Sequence, residues 1–271
     1  REEGLNAFGY AGGYHVPLAT LPDSVRGDLV LLEPLLGIGE LAISDHRSSQ
    51  PTFDEILRLA ADAHVSGLMT GKAGVLHLHL GDGSRGLDYV RRALSESEIP
   101  ARVFNPTHVN RRKALFDEAV ALAGNGCYID LTAFPVEDGE DAWSATEGLQ
   151  RYLASGAPAD RVTISSDAGG CLPCFDAEGR VSSMNVGHSG ALLETLRALA
   201  DGGTPLETAL PAFTANPARL LRLARKGRVE AGADADLVAL DATGGAHTVI
   251  IRGEIHVRNG QAIRRGTFEN R

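Results

Sequence analysis

Glu40, His79, His108 and Asp167 are the residues on which chemistry could be built, because each stands at an end of a separate short β-prone run. Glu40 leads into Leu41–Ser44, which closes in Ser44-Asp45-His46-Arg47. The run Val75-Leu76-His77-Leu78-His79 puts both histidines on one face of a strand, since side chains alternate with period two. Pro106-Thr107-His108 and Ser165-Ser166-Asp167 end two further runs. A carboxylate, imidazoles and an aspartate gathered from separate strand ends form a ligand set suited to zinc. A catalytic zinc keeps one position open for water and lowers the pKa of that water to about 7. Each residue taken singly has a plainer reading: a strand-end histidine bonded at the surface, a solvated loop acid at Glu40, a helix cap at Asp167. The repetition over several strand ends is what favours a metal. Cys171 and Cys174 form one C-x-x-C around Pro173 in a Gly-rich stretch. Without a second pair they read as free thiols in a loop. Gly81-Asp82-Gly83-Ser84 reads as a turn, because the lysine of a phosphate loop is missing.

The elements that must position these residues recur with a steady rhythm. Strands are expected at Phe8–Tyr14, Leu41–Ser44, Val75–Leu80, Arg102–Thr107, Cys127–Leu131 and Val162–Ser166. Amphipathic stretches such as Phe53–Ala63, Gly86–Ser95, Arg112–Ala123 and Ala145–Ala154 lie between them, with apolar residues at i, i+3 and i+4. Strand, helix, strand at this period means parallel β/α units. Periodicity does not separate an open sheet from a closed barrel. The lack of a Gly-rich phosphate loop and the polar residues at nearly every strand end favour an α/β fold of the (β/α)₈ barrel type, whose chemistry sits at that rim. About six of its eight units are countable here, so about two are expected to precede residue 1. After Leu223 the texture changes to short strands at Lys226–Val229, Asp236–Leu240, Val249–Arg252 and Glu254–Val257, with Leu237–Leu240 and Val249–Arg252 as a candidate pair. The reading is a partial barrel over 1–223 and part of a small β-sandwich over 224–271.

The chain has 271 residues, 35 acidic against 26 basic, for a net charge of −9, with 43% hydrophobic residues. That apolar share excludes a mostly disordered chain. The acidic balance, without a dense Lys/Arg run, argues against a nucleic-acid groove or an anionic membrane surface, and no apolar run reaches the roughly 18 residues of a membrane span. Three cysteines are too few and too odd in number for a disulfide framework, so a reducing cytoplasm is the default compartment.

At the rim the sequence resembles the amidohydrolase superfamily, and within it the metallo-type isoaspartyl (β-aspartyl) dipeptidases. The matching segments are Gly12-Gly13-Tyr14-His15-Val16-Pro17, Ala42-Ile43-Ser44-Asp45-His46-Arg47-Ser48, Gly71-Lys72, His79-Leu80-Gly81-Asp82, Pro106-Thr107-His108-Val109-Asn110-Arg111 and Val162-Thr163-Ile164-Ser165-Ser166-Asp167. The tail from Lys226-Gly227-Arg228-Val229 through Ala235-Asp236-Leu237-Val238 is similar to the superfamily's C-terminal signature. The resemblance implies a metal-dependent barrel with a small β-sandwich, homo-oligomeric, holding two zinc ions in the complete protein and cleaving the isopeptide bond of β-aspartyl dipeptides through a metal-activated hydroxide. It implies Glu40, His79, His108 and Asp167 as metal ligands, Glu40 bridging. Asp167 would also relay the proton from the attacking water to the leaving amine, and Tyr14 would bond the scissile carbonyl as it gains charge. Arg47 and Arg111 would hold substrate carboxylates, for which a planar guanidinium is suited.

Three departures from the family pattern stand out. Glu40 occupies the position of a bridging carboxylated lysine, Cys171 occupies that of a small hydroxyl residue touching substrate, and the His-x-His of the first barrel strand is absent. His77-Leu78-His79 has that spacing, but its surroundings place it on the fifth strand of such a barrel, where only His79 matches. Strand count and motifs together imply that about the first third of such a protein lies upstream of residue 1. Two other readings stay open: an N-acyl-amino-acid deacylase or dihydroorotase-like amidase, and a non-catalytic barrel remnant that binds a metal or a partner without turnover.

Overall fold

A run of parallel strands, each followed by a connecting helix, carries the polar residues of interest. The computed structural model describes residues 5–175, 180–264 and 266, with the backbone alone at 173–175. Strands β1 (Gly9–Ala11), β2 (Leu35–Ile43), β3 (Val75–Leu80) and β4 (Phe104–Thr107) pair in sequence order, all parallel. Strand β5 (Ile129–Thr132) pairs in parallel with β6 (Val162–Ser165), and the Tyr128 N–H donates to the Phe104 carbonyl across the step from β4. This succession of β/α units is the barrel-type fold that the rhythm of the sequence predicts.

The strands alternate so that one face is apolar and the other polar. Leu76, Leu78, Leu80, Phe104, Ile129, Leu131, Val162 and Ile164 join one buried apolar cluster. Burial of each such side chain stabilises the fold by about 1.5–3 kcal/mol relative to exposure. On the opposite face polar residues line up in register, His77 beside Asn105, His79 beside Thr107, Asp130 beside Thr163, and Thr132 beside Ser165. The polar face is the one that holds the site.

The covering helices start and stop where their sequences dictate. Helix α1 (Val25–Leu31) is capped by the Ser24 hydroxyl, which accepts the Gly27 N–H. Helix α2 (Phe53–Thr70) opens on a reciprocal capping box between Thr52 and Glu55 and stops at Gly71. It buries Ile56, Ala60, Ala63 and Gly67, which share one helical face. Helices α3 (Asp88–Glu96), α4 (Lys113–Gly124) and α5 (Ala145–Ala154) follow β3, β4 and β5, and Ser144 with Glu147 gives α5 a second capping box. Lys72 serves the fold, since its ammonium donates to the Leu29 and Leu32 carbonyls at 2.6 and 2.7 Å and closes the C-terminal end of α1.

Four expectations need correcting. The strand expected over Phe8–Tyr14 ends at Ala11, because Gly12 turns the chain out and leaves Tyr14 in a loop. The strand expected at Leu41–Ser44 begins earlier, at Leu35, so Glu40 lies within β2. Cys171 and Cys174 are on a strand, β7 (Cys171–Phe175), which forms an antiparallel hairpin with β8 (Val181–Val186); the Cys174 side chain lies outside the described residues. Beyond the hairpin come α6 (Ala191–Asp201), α7 (Leu206–Ala209) and α8 (Ala215–Leu220).

The fourth correction concerns the tail. Lys226–Val229 is not a strand: Gly227 turns, and the Lys226 ammonium reaches across to Asp234 at 3.0 Å and Asp236 at 2.5 Å. Strands β9 (Leu237–Leu240), β10 (Ala246–Ile251), β11 (Glu254–Arg258) and β12 (Gln261–Ala262) form one antiparallel sheet, ordered β12-β11-β10-β9, with β9 against β10 as expected. Among the described residues this sheet is separate from the parallel strands. Residues 265 and 267–271 of the 224–271 unit lie outside them.

Candidate active site

Glu40 owes its direction to a break in β2. The register against β3 shifts between Ile38 and Leu41, a local bulge of the kind that re-aims a side chain. Gly39 stands at the break with φ 152°, and any Cβ there would meet the His77 Cβ and carbonyl at 2.8 Å. Only glycine fits, and Glu40 is thereby turned toward His79 and His108.

The three side chains converge on one point. Glu40 Oε1 lies 2.9 Å from His79 Nδ1 and 2.9 Å from His108 Nε2. One ligand atom from each falls within 4.8 Å of the others. Both rings are buried and meet edge to face with centroids 4.6 Å apart. Their outer nitrogens are also held: His79 Nε2 is 3.0 Å from Asp45 Oδ2, and His108 Nδ1 is 2.7 Å from Thr132 Oγ1. With the outer nitrogens carrying the ring protons, Nδ1 of His79, Nε2 of His108 and Oε1 of Glu40 all present lone pairs to one centre, as a divalent cation requires. The donor set therefore fits a metal of zinc type. Burial pushes the Glu40 carboxyl up, but hydrogen bonding and charge from His108 and His79 outweigh it and hold the group well below the usual carboxylate range. Burial also makes the His108 ring harder to protonate, against the pull of Glu40.

Tyr14 and Arg47 reach this centre through Asp45, and Arg111 is near enough to His108 for its charge to act on that ring. The Tyr14 hydroxyl donates to Asp45 Oδ2 at 2.9 Å. Burial, then that hydrogen bond, pushes its pKa up, so the phenol stays protonated and able to donate. Arg47 donates to Asp45 through Nε at 3.1 Å and Nη2 at 2.8 Å, and the bond raises its own pKa. Arg111 follows β4 and gives one N–H to the Leu80 carbonyl at 2.6 Å. Burial lowers its pKa, and Arg47 is close enough for its positive charge to lower it further. A guanidinium binds a carboxylate in bidentate fashion, so two of them suit a ligand with two carboxylates.

Asp167 lies just past β6, half-buried, at φ 48°. It falls outside the group formed by Glu40, His79 and His108. Ser44 at φ 51° and His108 at φ 59° take the same left-handed turn directly after β2 and β4. Such backbone is uncommon outside glycine and tends to mark functional sites. Cys171, exposed and unpaired as a thiol, begins β7. His77 is set apart: its Nδ1 lies 2.7 Å from Asn105 Oδ1 and its ring stacks on Tyr10. A second group capable of holding a cation, Asp45 with His46 and Asp82, has its last two members exposed and bonded to each other at 3.1 Å.

Sequence reasoning passed over Asp45, Thr132 and Asp130. Asp130 accepts hydrogen bonds from Thr107, Thr163 and Ser165, tying β4, β5 and β6 together. The signal for two of them was present: in Ile129-Asp130-Leu131-Thr132 the polar residues alternate along a buried strand. Asp45 sits in the Ser-Asp-His-Arg segment, two residues before Arg47, and nothing in its spacing sets it apart.

A sequence model of the amidohydrolase family matches residues 50–256. The chain belongs to that family. Among solved structures this amidohydrolase is similar to the β-aspartyl dipeptidase of Fervidobacterium islandicum in complex with β-Asp-Leu, at 40% identity and a TM-score of 0.90, over 98% of this chain and 69% of that one. A curated relative, a deacetylase of Agrobacterium fabrum, is 27% identical over 69% of this chain and 48% of its own length, so the chain spans about half of that protein. N-acetylglucosamine-6-phosphate deacetylase of Pasteurella multocida, 14% identical with a TM-score of 0.54 over 89% of this chain and 61% of its own, shares the fold.

Proposed function

We propose that this amidohydrolase cleaves the isopeptide bond of β-aspartyl dipeptides at a zinc centre held by Glu40, His79 and His108. The observation that carries the reading is the convergence of those three ligand atoms within 4.8 Å. It is supported by 40% identity to a dipeptidase described with β-Asp-Leu. A metal bound there supplies Lewis acidity and a water of lowered pKa. Arg47 and Arg111 bind the substrate's carboxylates and orient the amide carbonyl. The single O–H of Tyr14 turns from Asp45 to donate to the carbonyl oxygen as negative charge develops on it. The Asp167 carboxylate takes the proton of the attacking water and delivers it to the leaving nitrogen, so that one aspartate and one free amino acid depart. Cys171 offers the substrate a thiol, a weak hydrogen-bond partner.

A deacylase of N-acyl amino acids is the second reading, favoured by the Agrobacterium fabrum deacetylase relative. Such a substrate carries one carboxylate fewer, leaving one guanidinium unmatched. The zinc-loaded protein should release leucine from β-Asp-Leu and turn over N-acetyl-leucine far more slowly. Cleavage of N-acetyl-leucine with no release of leucine from β-Asp-Leu would replace the first reading by the second.

A further inference from the structure

Asp45 is a carboxylate with no surface exposure of its side chain, and all of its side-chain hydrogen bonds go to groups of the candidate site. Oδ2 takes the Tyr14 hydroxyl at 2.9 Å, His79 Nε2 at 3.0 Å and Arg47 Nη2 at 2.8 Å. Oδ1 takes the Arg47 backbone N–H at 2.7 Å and its Nε at 3.1 Å. The three partners come from three places in the chain: the loop after β1, strand β3 and the turn after β2. Its position is fixed from behind by the backbone of residue 81, where a Cβ would meet the Asp45 Cβ at 2.2 Å, so the chain there has to be glycine.

Imidazole binds a metal through one nitrogen only when its proton is kept on the other. Asp45 accepts and cannot donate, so it keeps a proton on His79 Nε2 and leaves Nδ1 as the nitrogen that faces Glu40 and His108. We propose that Asp45 is the positioning residue of this centre: it fixes His79 as an Nδ1 ligand and, through the same carboxylate, sets Tyr14 and Arg47 in register with that ligand. The inference rests on reading Glu40, His79 and His108 as metal ligands, and it needs no particular substrate. In this role Asp45 acts through His79, Tyr14 and Arg47, the groups to which its hydrogen bonds go. A carboxamide at this position has one acceptor oxygen where five N–H and O–H groups now converge on two. It must therefore turn an N–H toward either His79 or Arg47.

The test compares zinc affinities by chelator competition for the wild type, Asp45→Asn and Asp54→Asn. Asp54 is an exposed carboxylate in the first turn of α2, outside both groups that could hold a cation, and it measures the effect of charge alone. Asp45→Asn is expected to bind zinc about 10–100-fold more weakly, the usual effect of losing such a partner. Asp54→Asn is expected to bind like the wild type. Nitrogen-15 spectra of the histidine rings in the zinc-loaded wild type give a second readout that survives if Asp45→Asn does not fold. They should show His79 metal-bound at Nδ1 and protonated at Nε2. The proposal is overturned if Asp45→Asn binds zinc as tightly as the wild type, if both variants lose affinity equally, or if His79 binds through Nε2. Release of leucine from β-Asp-Leu, followed on the same samples, separates the two readings: zinc bound without turnover defeats the dipeptidase assignment and leaves the affinity comparison to decide the role of Asp45.

Discussion

Replacing Asp130 should destabilise the protein in an order set by how many buried hydroxyls lose their acceptor. Oδ2 accepts from Thr107 at 2.7 Å and Ser165 at 2.6 Å, and Oδ1 accepts from Thr163 at 2.5 Å. In Asp130→Ala all three donors lose their partner. Ser165 is half-buried and reaches water, and Thr163 already lies 3.4 Å from the Ile129 carbonyl and can turn to it. Thr107, 2% exposed, has no such recourse. Each hydrogen bond to a charged acceptor contributes about 1.5–3 kcal/mol, and an orphaned buried hydroxyl costs about 1–3 kcal/mol. Removing the carboxylate also removes its own desolvation cost of several kcal/mol, which offsets much of the loss. A net cost of about 3 kcal/mol follows for Asp130→Ala. In Asp130→Asn the amide oxygen keeps Thr107 and Ser165, while the NH₂ faces Thr163, whose hydroxyl rotates to accept. Only charge assistance is lost there, a cost of about 1 kcal/mol. Urea unfolding followed by fluorescence and circular dichroism gives both values from the midpoints, at unchanged m. Equal costs for the two variants, or an Asp130→Ala variant as stable as the wild type, would refute the reasoning.

If Tyr14 is the proposed donor to the developing oxyanion, Tyr14→Phe should lower kcat for β-Asp-Leu by about 10²–10³-fold with zinc content unchanged; kinetics beside metal analysis checks this. Lys72→Met strips two carbonyls at the end of α1 of their donor and should cost about 1–2 kcal/mol in urea midpoint without altering zinc affinity. Burial pushes the Cys127 thiol up to about 12, whereas Cys171 is exposed, so iodoacetamide at pH 8 should modify Cys171 and spare Cys127 in the folded protein, as read by peptide mass mapping. Burial opposes ionisation of Asp236, but the Lys226 hydrogen bond wins and lowers its pKa; Asp234 is lowered first by the same lysine, whose own pKa is raised. Depressed carboxylates stabilise above their unfolded pKa near ~4 and lose this as pH falls, while a raised lysine stabilises below ~10.5 and loses it as pH climbs. The melting-temperature deficit of Lys226→Met should therefore be full at pH 7 and vanish toward pH 2.

How far the sequence could be read follows from where burial enforces a pattern. Val75–Leu80 and Ala145–Ala154 have the ends that their alternation and capping residues predict. Helix α2 runs on from Ala63 to Thr70, since polar residues on its outer face carry no stop signal before Gly71. The hairpin β7–β8 left no trace, because every residue of β8 is exposed and no face of it is selected for apolarity. The site divides along the same line. Glu40, His79 and His108 stand out by residue type in or beside β-prone runs, and the structure brings them together. Asp45 is an ordinary acid in a turn until the chain folds; its partners lie in segments centred on residues 14 and 79. Long-range sharing of one acceptor is not a property of any local pattern.

The loop that carries Tyr14 and the turn that carries Arg47 are laced together. His15 Nε2 reaches the Arg47 carbonyl at 2.9 Å, the Ser49 hydroxyl accepts the Val16 N–H at 2.9 Å, and the Ala42 N–H donates to the Tyr14 carbonyl at 3.1 Å. The two segments thus behave as a single cassette. An engineer who grafts a new Arg47 turn for a different acid, while leaving residues 12–17 as they are, cuts these ties and displaces the phenol with the guanidinium. With Arg47 and Arg111 holding substrate as proposed, altered specificity in this scaffold is best sought by exchanging both segments at once, or by changing Arg111, which hangs from the Leu80 carbonyl on a separate support.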